Sequence, residues 1–404
     1  MIQYIRKEIT KKGVAPMNLP QNVEFLIARL NAASHRADVV GGCVRDFLLR
    51  KEPNDYDITT DATPDEMKEI FSDMRTVDTG IKHGTLTVIC DSLPYEITTY
   101  RVDGEYTDNR HPDSVSFTRR VADDLARRDF TVNAMCYNHT DGLTDLYSGR
   151  DDLQKKVIRA VGDPMRRFGE DALRILRALR FAATLDFEIE ENTSRAAIAL
   201  AKNLSSVSSE RILVEWRKLL AGKAAYRIIN EYKSIISLII PALQKLTLPE
   251  KTAFDSASPT IRELSLFASE DSPAEAYASA MRALKSDNKS RDFGKTVLEN
   301  LNESIKNDSE LGILLSKIGE DCTRGVLQLS AVLKKGTLGE SALDSLIKSG
   351  LCYKLSELKI GGNDLISLGI RGSEIGKVLS ELLFLVASGQ IKNEREVLLA
   401  NIKR

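Results

Sequence analysis

The chain has 404 residues, with 57 Lys and Arg against 58 Asp and Glu, 42% hydrophobic and 28% charged residues, and a formal net charge of −1. That length calls for about two to four domains, and no apolar run approaches the about eighteen residues of a membrane span. Near-neutral charge neither announces nor excludes a polyanionic partner, because a large protein can focus a basic strip within a neutral total. Cys43, Cys90, Cys136, Cys322 and Cys352 are scattered and form no CxxC pair, which argues against a disulfide framework or a zinc site and fits a reducing, cytoplasmic location. The basic start MIQYIRKEITKKGVAP leads into no apolar stretch, so no signal peptide is expected.

Residues 18–36 read as an amphipathic helix, and DVV (38–40) as a short strand running into Gly41-Gly42 and then a helical VRDFLLR. Pro53 and Asn54 mark a turn before the alternating strand YDITT, and DATPDEMKEIF reads as a capped helix with Pro64 in its first turn. HGTLTVIC and YEITTYR are β-branched strands, expected to be antiparallel neighbours. DGEYTDNRHPD (103–113) is polar, carries Gly and Pro and lacks periodicity, so a mobile loop is expected. From about 123 onward the pattern turns mostly helical, and strand signals nearly vanish after DLYSG (145–149). The expected fold is therefore α+β, a small α/β head followed by a long all-α part.

GGCVRD follows a strand and opens a helix. Glycines there admit phosphate close to the backbone, the helix N-terminus supplies N–H donors, and Arg45 can add a bidentate contact. The plainer reading is a tight turn. Asp55-Tyr56-Asp57 follows, and residues i and i+2 of a strand share a face. Two carboxylates so placed repel unless a cation lies between them, and all-oxygen ligation suits Mg²⁺; the alternative is an exposed polar strand face. A two-metal site asks for a third carboxylate from a neighbouring strand. Glu96 is the best placed, although it could equally be a solvent-facing strand residue. Eleven arginines from Arg119 to Arg180, among them Arg127, Arg159, Arg166 and Arg167, concentrate in one stretch, either as a nucleic-acid strip or as a solvated helix surface.

With these residues in place, GGCVRDFLLRKEPNDYDITT resembles the signature of class II tRNA nucleotidyltransferases, the CCA-adding enzymes and their bacterial poly(A) polymerase relatives. RRDFTVNAM (127–135) and GEDALRILRALRFA (169–182) look like the second and third family motifs. IGGNDLISLGIRGSEIGKVL resembles the last family segment, with Arg371 where a proline is usual. The likeness implies a polymerase-β-like nucleotidyltransferase head at 18–150, a neck with a nucleotide-selecting helix at 151–220, a helical body at 221–320 and a helical tail at 321–404. It implies that Gly42 and Arg45 hold the triphosphate, that Asp55 and Asp57 hold the metals, and that Arg128 and Asp129 meet the nucleotide near its ribose. Asp171, Arg174, Arg177 and Arg180 would form the selecting face of the neck helix.

On one continuous helix Asp171 and Arg174 are neighbours, with Ala172, Leu176, Leu179 and Ala183 on the opposite, core side. Asp only accepts and Arg only donates. Cytosine and adenine each offer an amino donor beside a ring-nitrogen acceptor, whereas uracil and guanine reverse the order, so one pair admits CTP and ATP alone. The bland alternative is a surface ion pair. Arg177 lies on the same side, while Arg180 falls about halfway round from Asp171 and is included on the resemblance only.

Full addition of C, C and A to the 3′ end of tRNA, without a nucleic-acid template, is the expected activity, since the polar segment after YEITTYR is retained. A-only addition, a poly(A) polymerase and a catalytically silent tRNA-binding protein are the alternatives. The helical part would grip the acceptor arm and elbow of tRNA through phosphates; oligomeric state stays open. The four histidines, His35, His83, His111 and His139, all precede the helical part, which excludes an HD-type phosphohydrolase domain there.

Overall fold

The computed structural model describes residues 16–104, 114–301, 305–336 and 338–402. The chain divides into two compact units, Met1–Ala224 and Ala225–Arg404; the expected head and neck both fall within the first.

The first unit opens with α1 (Gln21–Ala32), shorter than the span read from periodicity. Pro20 stands at its N-cap, and Ser34 just beyond its end takes φ 66°, which no helix continues. β1 (Ala37–Val40) and α2 (Gly42–Leu48) follow, then β2 (Asp57–Thr60) and α3 (Pro64–Ile70). α3 starts with a full capping box: the Thr63 hydroxyl accepts from Glu66 N, and the Glu66 carboxylate accepts from Thr63 N. β3 (Thr76–Val77) precedes β4 (Thr85–Cys90) and β5 (Leu93–Thr99), which form the expected antiparallel pair.

β6 (Arg101–Asp103) and β7 (Val115–Phe117) pair as a short ladder whose far end leads into 105–113. The expected mobile loop and His111 lie in that stretch, outside the described residues.

After α4 (Val121–Ala126) the chain returns to the sheet as β8 (Met135–Asn138) and β9 (Gly142–Asp145). The helical reading from 123 is corrected there. All four residues of β8 are buried, and a short apolar run buried on both faces carries no alternation to mark it as a strand. α5 (Gly149–Lys155), β10 (Val157–Ile158), α6 (Pro164–Glu170), α7 (Leu173–Leu185), β11 (Glu188–Ile189), α8 (Glu191–Ala199) and α9 (Ser209–Leu220) complete the unit.

The main sheet has seven strands in the order β3-β4-β5-β2-β1-β8-β9. β2 and β5 run parallel and the other neighbours antiparallel. α1 and α3 pack on it, burying Val23, Leu26, Leu30 and Met67 against the strands that carry Val39, Ile58 and Leu86. Asp38 lies fully buried within the sheet layer. It accepts from Arg36 at 2.8 and 2.9 Å, from the Tyr100 hydroxyl at 2.6 Å and from the Asn138 amide at 2.6 Å, which satisfies its charge where water cannot.

In the second unit the described residues hold helices and turns and no strand. Its last part buries Leu358, Ile360, Leu365, Leu382, Leu383, Val386 and Leu398 in a core of their own. Among the described residues no helix is long and apolar enough to cross a membrane.

Candidate functional site

Three strand ends meet at one edge of the first unit. Val40 pairs with Asp57 across β1 and β2, and with Cys136 across β1 and β8. One position before the parallel pair Ile58↔Ile97 stand Asp57 and Glu96, side by side on the same face. The chain leaving β1 therefore passes its glycines directly beside the carboxylates.

Gly41 makes the turn. It holds φ 79° and ψ −122°, a conformation that only glycine adopts without strain, and its N–H donates to Met135 O at 3.0 Å. A Cβ on Gly41 would lie 2.9 Å from Nη1 of Arg128, whereas a Cβ on Gly42 would meet nothing nearer than Arg45 at 3.7 Å. Gly42 is simply the first residue of α2. The steric demand expected of Gly42 thus rests on Gly41, which a GG pair does not reveal by itself. Arg45 is held by Asp46 at 2.8 and 2.9 Å and donates from Nη1 to the Asn133 side chain at 2.7 Å.

Asp57 is the first residue of β2, and Asp55 precedes the strand. The expected strand therefore begins too late for the shared-face argument to bring these two together. Their proximity shows in electrostatics instead. Burial pushes the Asp57 carboxyl up, Asp55 and Glu96 push it further, and Arg128 alone opposes them. Asp55 and Asp57 are both exposed as whole residues. Among the described residues no three His, Cys, Asp or Glu side chains gather closely enough to cage an ion, so Glu96 adds charge from β5 without closing such a group. Two open carboxylates suit Mg²⁺, which keeps waters and takes substrate phosphate oxygens as further ligands. Behind them Cys43 is buried, and burial followed by the nearby Asp57 charge raises its thiol to about 12; it packs as an inert residue.

Arg128 donates from Nη2 to Asp124 at 3.2 Å, and its buried Nε has no partner. Asp129 accepts from Phe130 N at 2.8 Å and from Arg177 Nε at 2.7 Å. Burial alone would raise its carboxyl, but Arg177, with Arg174 and the Asn133 amide, holds it down at about 2. Asp129 is therefore an ionised post that fixes Arg177.

The neck differs from the sequence reading. α6 stops at Glu170, Asp171 is extended (φ −138°, ψ 106°), and α7 begins at Leu173. Asp171 Oδ1 accepts from Leu173 N at 3.0 Å, in the manner of a residue that starts a helix, and Oδ2 accepts from Arg211 of α9 at 2.9 Å. Arg174 instead donates to Glu170 at 2.7 Å and to the carbonyls of Arg167 and Arg127 at 3.1 and 3.2 Å. Asp171 and Arg174 are thus not a helical i, i+3 pair. Ala172, Leu176, Leu179 and Ala183 are buried as expected. Arg180 also differs: counted from Arg177 on the actual helix it lies one turn on. Both guanidiniums lie over Phe181, at 5.4 and 3.8 Å from the ring centre, and Arg45 lies over the same ring at 5.3 Å. Arg180 also reaches Glu215 at 2.6 Å. Burial lowers its pKa, Glu215 counters, and Arg177 lowers it again.

Sequence reasoning missed Gly41, Asn133, Glu170, Phe181 and Arg211. Only Glu170 had a local signal, standing i+4 from Arg166, i+3 from Arg167 and i−4 from Arg174, all three of which it binds.

Residues 37–159 match the family described as the poly A polymerase head domain, 186–234 a probable RNA and SrmB-binding site of polymerase A, and 263–402 domain 2 of tRNA nucleotidyltransferase. The CCA-adding enzyme of Enterococcus faecalis is 35% identical over 94% of this chain and 94% of its own. That of Pediococcus pentosaceus is 36% identical over 96% of this chain and 99% of its own. The crystal structure of the Bacillus stearothermophilus CCA-adding enzyme in complex with CTP superposes with a TM-score of 0.78 at 28% identity, covering 95% of this chain and 97% of that one. By motifs, fold and full-length similarity, the chain belongs to the CCA-adding enzymes, a family of nucleotidyltransferases.

Proposed function

We propose that this chain adds C, C and A to the 3′ end of tRNA from CTP and ATP, with Asp55 and Asp57 holding Mg²⁺. The observation that carries the reading is the strand register, which sets Asp57 opposite Val40, directly before the Gly41 turn, and beside Glu96, one position before the parallel pair Ile58↔Ile97. Carboxylates that need a cation thus lie next to a guanidinium seated on Gly41 with an unused buried N–H. A metal–triphosphate complex supplies both missing partners. When bound, Mg²⁺ activates the attacking 3′ oxygen and neutralises charge on the phosphates.

The chain's own residues do the rest. Gly41 and Gly42 let the triphosphate approach the backbone at the start of α2, and Arg45 and Arg128 donate to it. Asp129 stays ionised and fixes Arg177 below the ribose and base, with Arg180 beside it. Asp171 uses two of its lone-pair sites and keeps others for an amino group of C or A; Arg174 keeps donors for the ring nitrogen. The relatives' activity and the CTP complex of the Bacillus enzyme support this assignment, as does the match to an RNA-binding segment at 186–234. The five cysteines are free, which supports a cytoplasmic location.

The test is Mg²⁺-dependent incorporation of labelled CTP and ATP into tRNA ending before CCA, after CC, and into a non-tRNA oligonucleotide, with product sequencing. Sequential C, C and A on tRNA alone supports the assignment. A tails on any RNA, A after CC only, or no transfer by folded protein would each replace it.

A further inference from the structure

Two adjacent arginines of the second motif share one buried carboxylate that touches nothing exposed. Asp124, on α4, is 0% exposed. Its Oδ1 accepts from Arg127 Nε at 2.9 Å and Nη2 at 2.7 Å, a bidentate pair. Its Oδ2 accepts from Arg128 Nη2 at 3.2 Å and lies 3.4 Å from the Thr59 hydroxyl, whose single proton also has the Thr98 carbonyl at 3.2 Å. Thr59 is two residues along β2 from Asp57 and so shares its face.

Each arginine leads elsewhere. Arg128 lies against Gly41 and lowers the Asp57 pKa. The Arg127 carbonyl accepts from Arg167 and from Arg174, each at 3.2 Å. The Arg127 side chain also approaches Asp103, at the end of β6, at 3.9 Å. Asp124 thus joins the strand of the metal carboxylates, the arginine over the glycine turn, and the arginine whose backbone braces Arg174. Taken out of water, a carboxylate costs more than one partner returns; this one has three guanidinium N–H donors from two cations, with the Thr59 hydroxyl beside it.

We propose that Asp124 is a positioning residue for nucleotide binding: it fixes Arg128 over Gly41, where the guanidinium meets the triphosphate, and ties that placement to the strand bearing Asp57. The proposal rests on the reading that this site binds a nucleoside triphosphate. Among the described residues Arg128 forms its ion pair with Asp124, and the carboxylate it acts on beyond that is Asp57. Without Asp124 the guanidinium would turn toward Asp55 and Asp57, leaving the phosphate position and competing with the cation. An uncharged buried filler at 124 would do neither.

The experiment is a double-mutant cycle on the full chain, with CTP dissociation constants in Mg²⁺ measured by calorimetry for wild type, Asp124→Asn, Arg128→Ala and the double variant. tRNA affinity and thermal midpoint are measured on the same four proteins. Arg128→Ala is expected to weaken CTP about ten- to hundredfold, as loss of a charge-assisted contact does. Asp124→Asn is expected to weaken CTP at least about tenfold alone and less than about twofold once Arg128 is gone, with tRNA affinity unchanged. If Asp124→Asn weakens CTP equally in both backgrounds, or CTP and tRNA affinity fall together with the thermal midpoint, Asp124 is only a structural buried ion and the proposal is overturned. If Arg128→Ala leaves CTP binding intact, the reading of the site fails instead. Should Asp124→Asn not fold, Asp124→Glu, which keeps the charge but moves it by one methylene, enters the same cycle with the same two outcomes.

Discussion

Replacing Gly41 by alanine separates two demands that the turn makes on one residue. The first is conformational. At φ 79° and ψ −122° an L side chain collides with its own backbone, and such outliers cost on the order of 1–3 kcal/mol. The second is local: the new Cβ would stand 2.9 Å from Nη1 of Arg128. That atom ends a flexible side chain, so the guanidinium moves rather than the backbone, and its proposed placement over the triphosphate goes with it. Losing one charge-assisted hydrogen bond is worth about 1.5–3 kcal/mol, or about ten- to hundredfold in affinity. Gly41→Ala should therefore lower unfolding free energy by about 1–3 kcal/mol in urea titration and raise the KM for CTP at least tenfold. Gly42→Ala is the matched control. Gly42 is helical, its Cβ would have 3.7 Å of clearance, and its unfolding free energy should change by less than about 1 kcal/mol. A Gly41→Ala protein with wild-type urea midpoint and wild-type KM would refute the reasoning, and so would an equal loss of unfolding free energy in the two variants.

Asp55→Ala and Asp57→Asn should abolish nucleotide incorporation, by at least about a thousandfold for a contribution of several kcal/mol. Both proteins should unfold at or slightly above the wild-type urea midpoint without Mg²⁺, because burial and then the charges of Asp55 and Glu96 disfavour the ionised Asp57, and each change relieves part of that; a marked loss of stability would show the carboxylates to be structural. The Asp129 carboxyl sits at about 2, below its unfolded value of about 3.9. Its stabilisation, roughly 2–3 kcal/mol, is then complete above about pH 4 and lost as pH falls toward 2. Asp129→Asn should remove that part of the acid limb in urea midpoints measured between pH 4 and 2, and parallel limbs would contradict it. Reversing the selecting pair by Asp171→Arg with Arg174→Asp should shift incorporation toward UTP or GTP only when Arg211 is also neutralised. The Asp171 carboxylate lies 2.9 Å from Arg211, and an arginine there would meet a like charge. Retained CTP and ATP choice in the triple variant, read by primer extension with single nucleotides, would sink the base-edge code.

The local parts of the fold were legible because their causes are local. Thr63, Pro64 and Glu66 encode a helix start in four residues, and the structure uses all three. HGTLTVIC and YEITTYR alternate, and they pair in the antiparallel register that a short connection imposes. β8 was not legible, since Val40↔Cys136 joins residues nearly a hundred positions apart, and a run buried on both faces looks alike in helix and strand. Asp171 failed for a related reason. Whether its carboxylate continues a helix or starts one depends on competition between capping and extension, and Arg211, forty residues on, supplies the partner that decides it.

The net charge, uninformative as a number, becomes intelligible once the partners are known. Arg45 has Asp46, Arg174 has Glu170, Arg177 has Asp129 and Arg180 has Glu215. A guanidinium proposed to meet a nucleotide must be held still when none is bound, and a neighbouring carboxylate does so without adding net charge. An arginine-rich site can thus arise in a chain of charge −1. The balance breaks at two neighbouring places. At one, Arg127 and Arg128 share Asp124; at the other, the charges of Asp55 and Glu96 act on Asp57, with Arg128 as the opposing charge. A surplus of cation beside a surplus of carboxylate, separated by a glycine turn, matches the charge pattern of a triphosphate with its metal. That matching cannot be counted from composition, because it lies in which charges are left over after pairing.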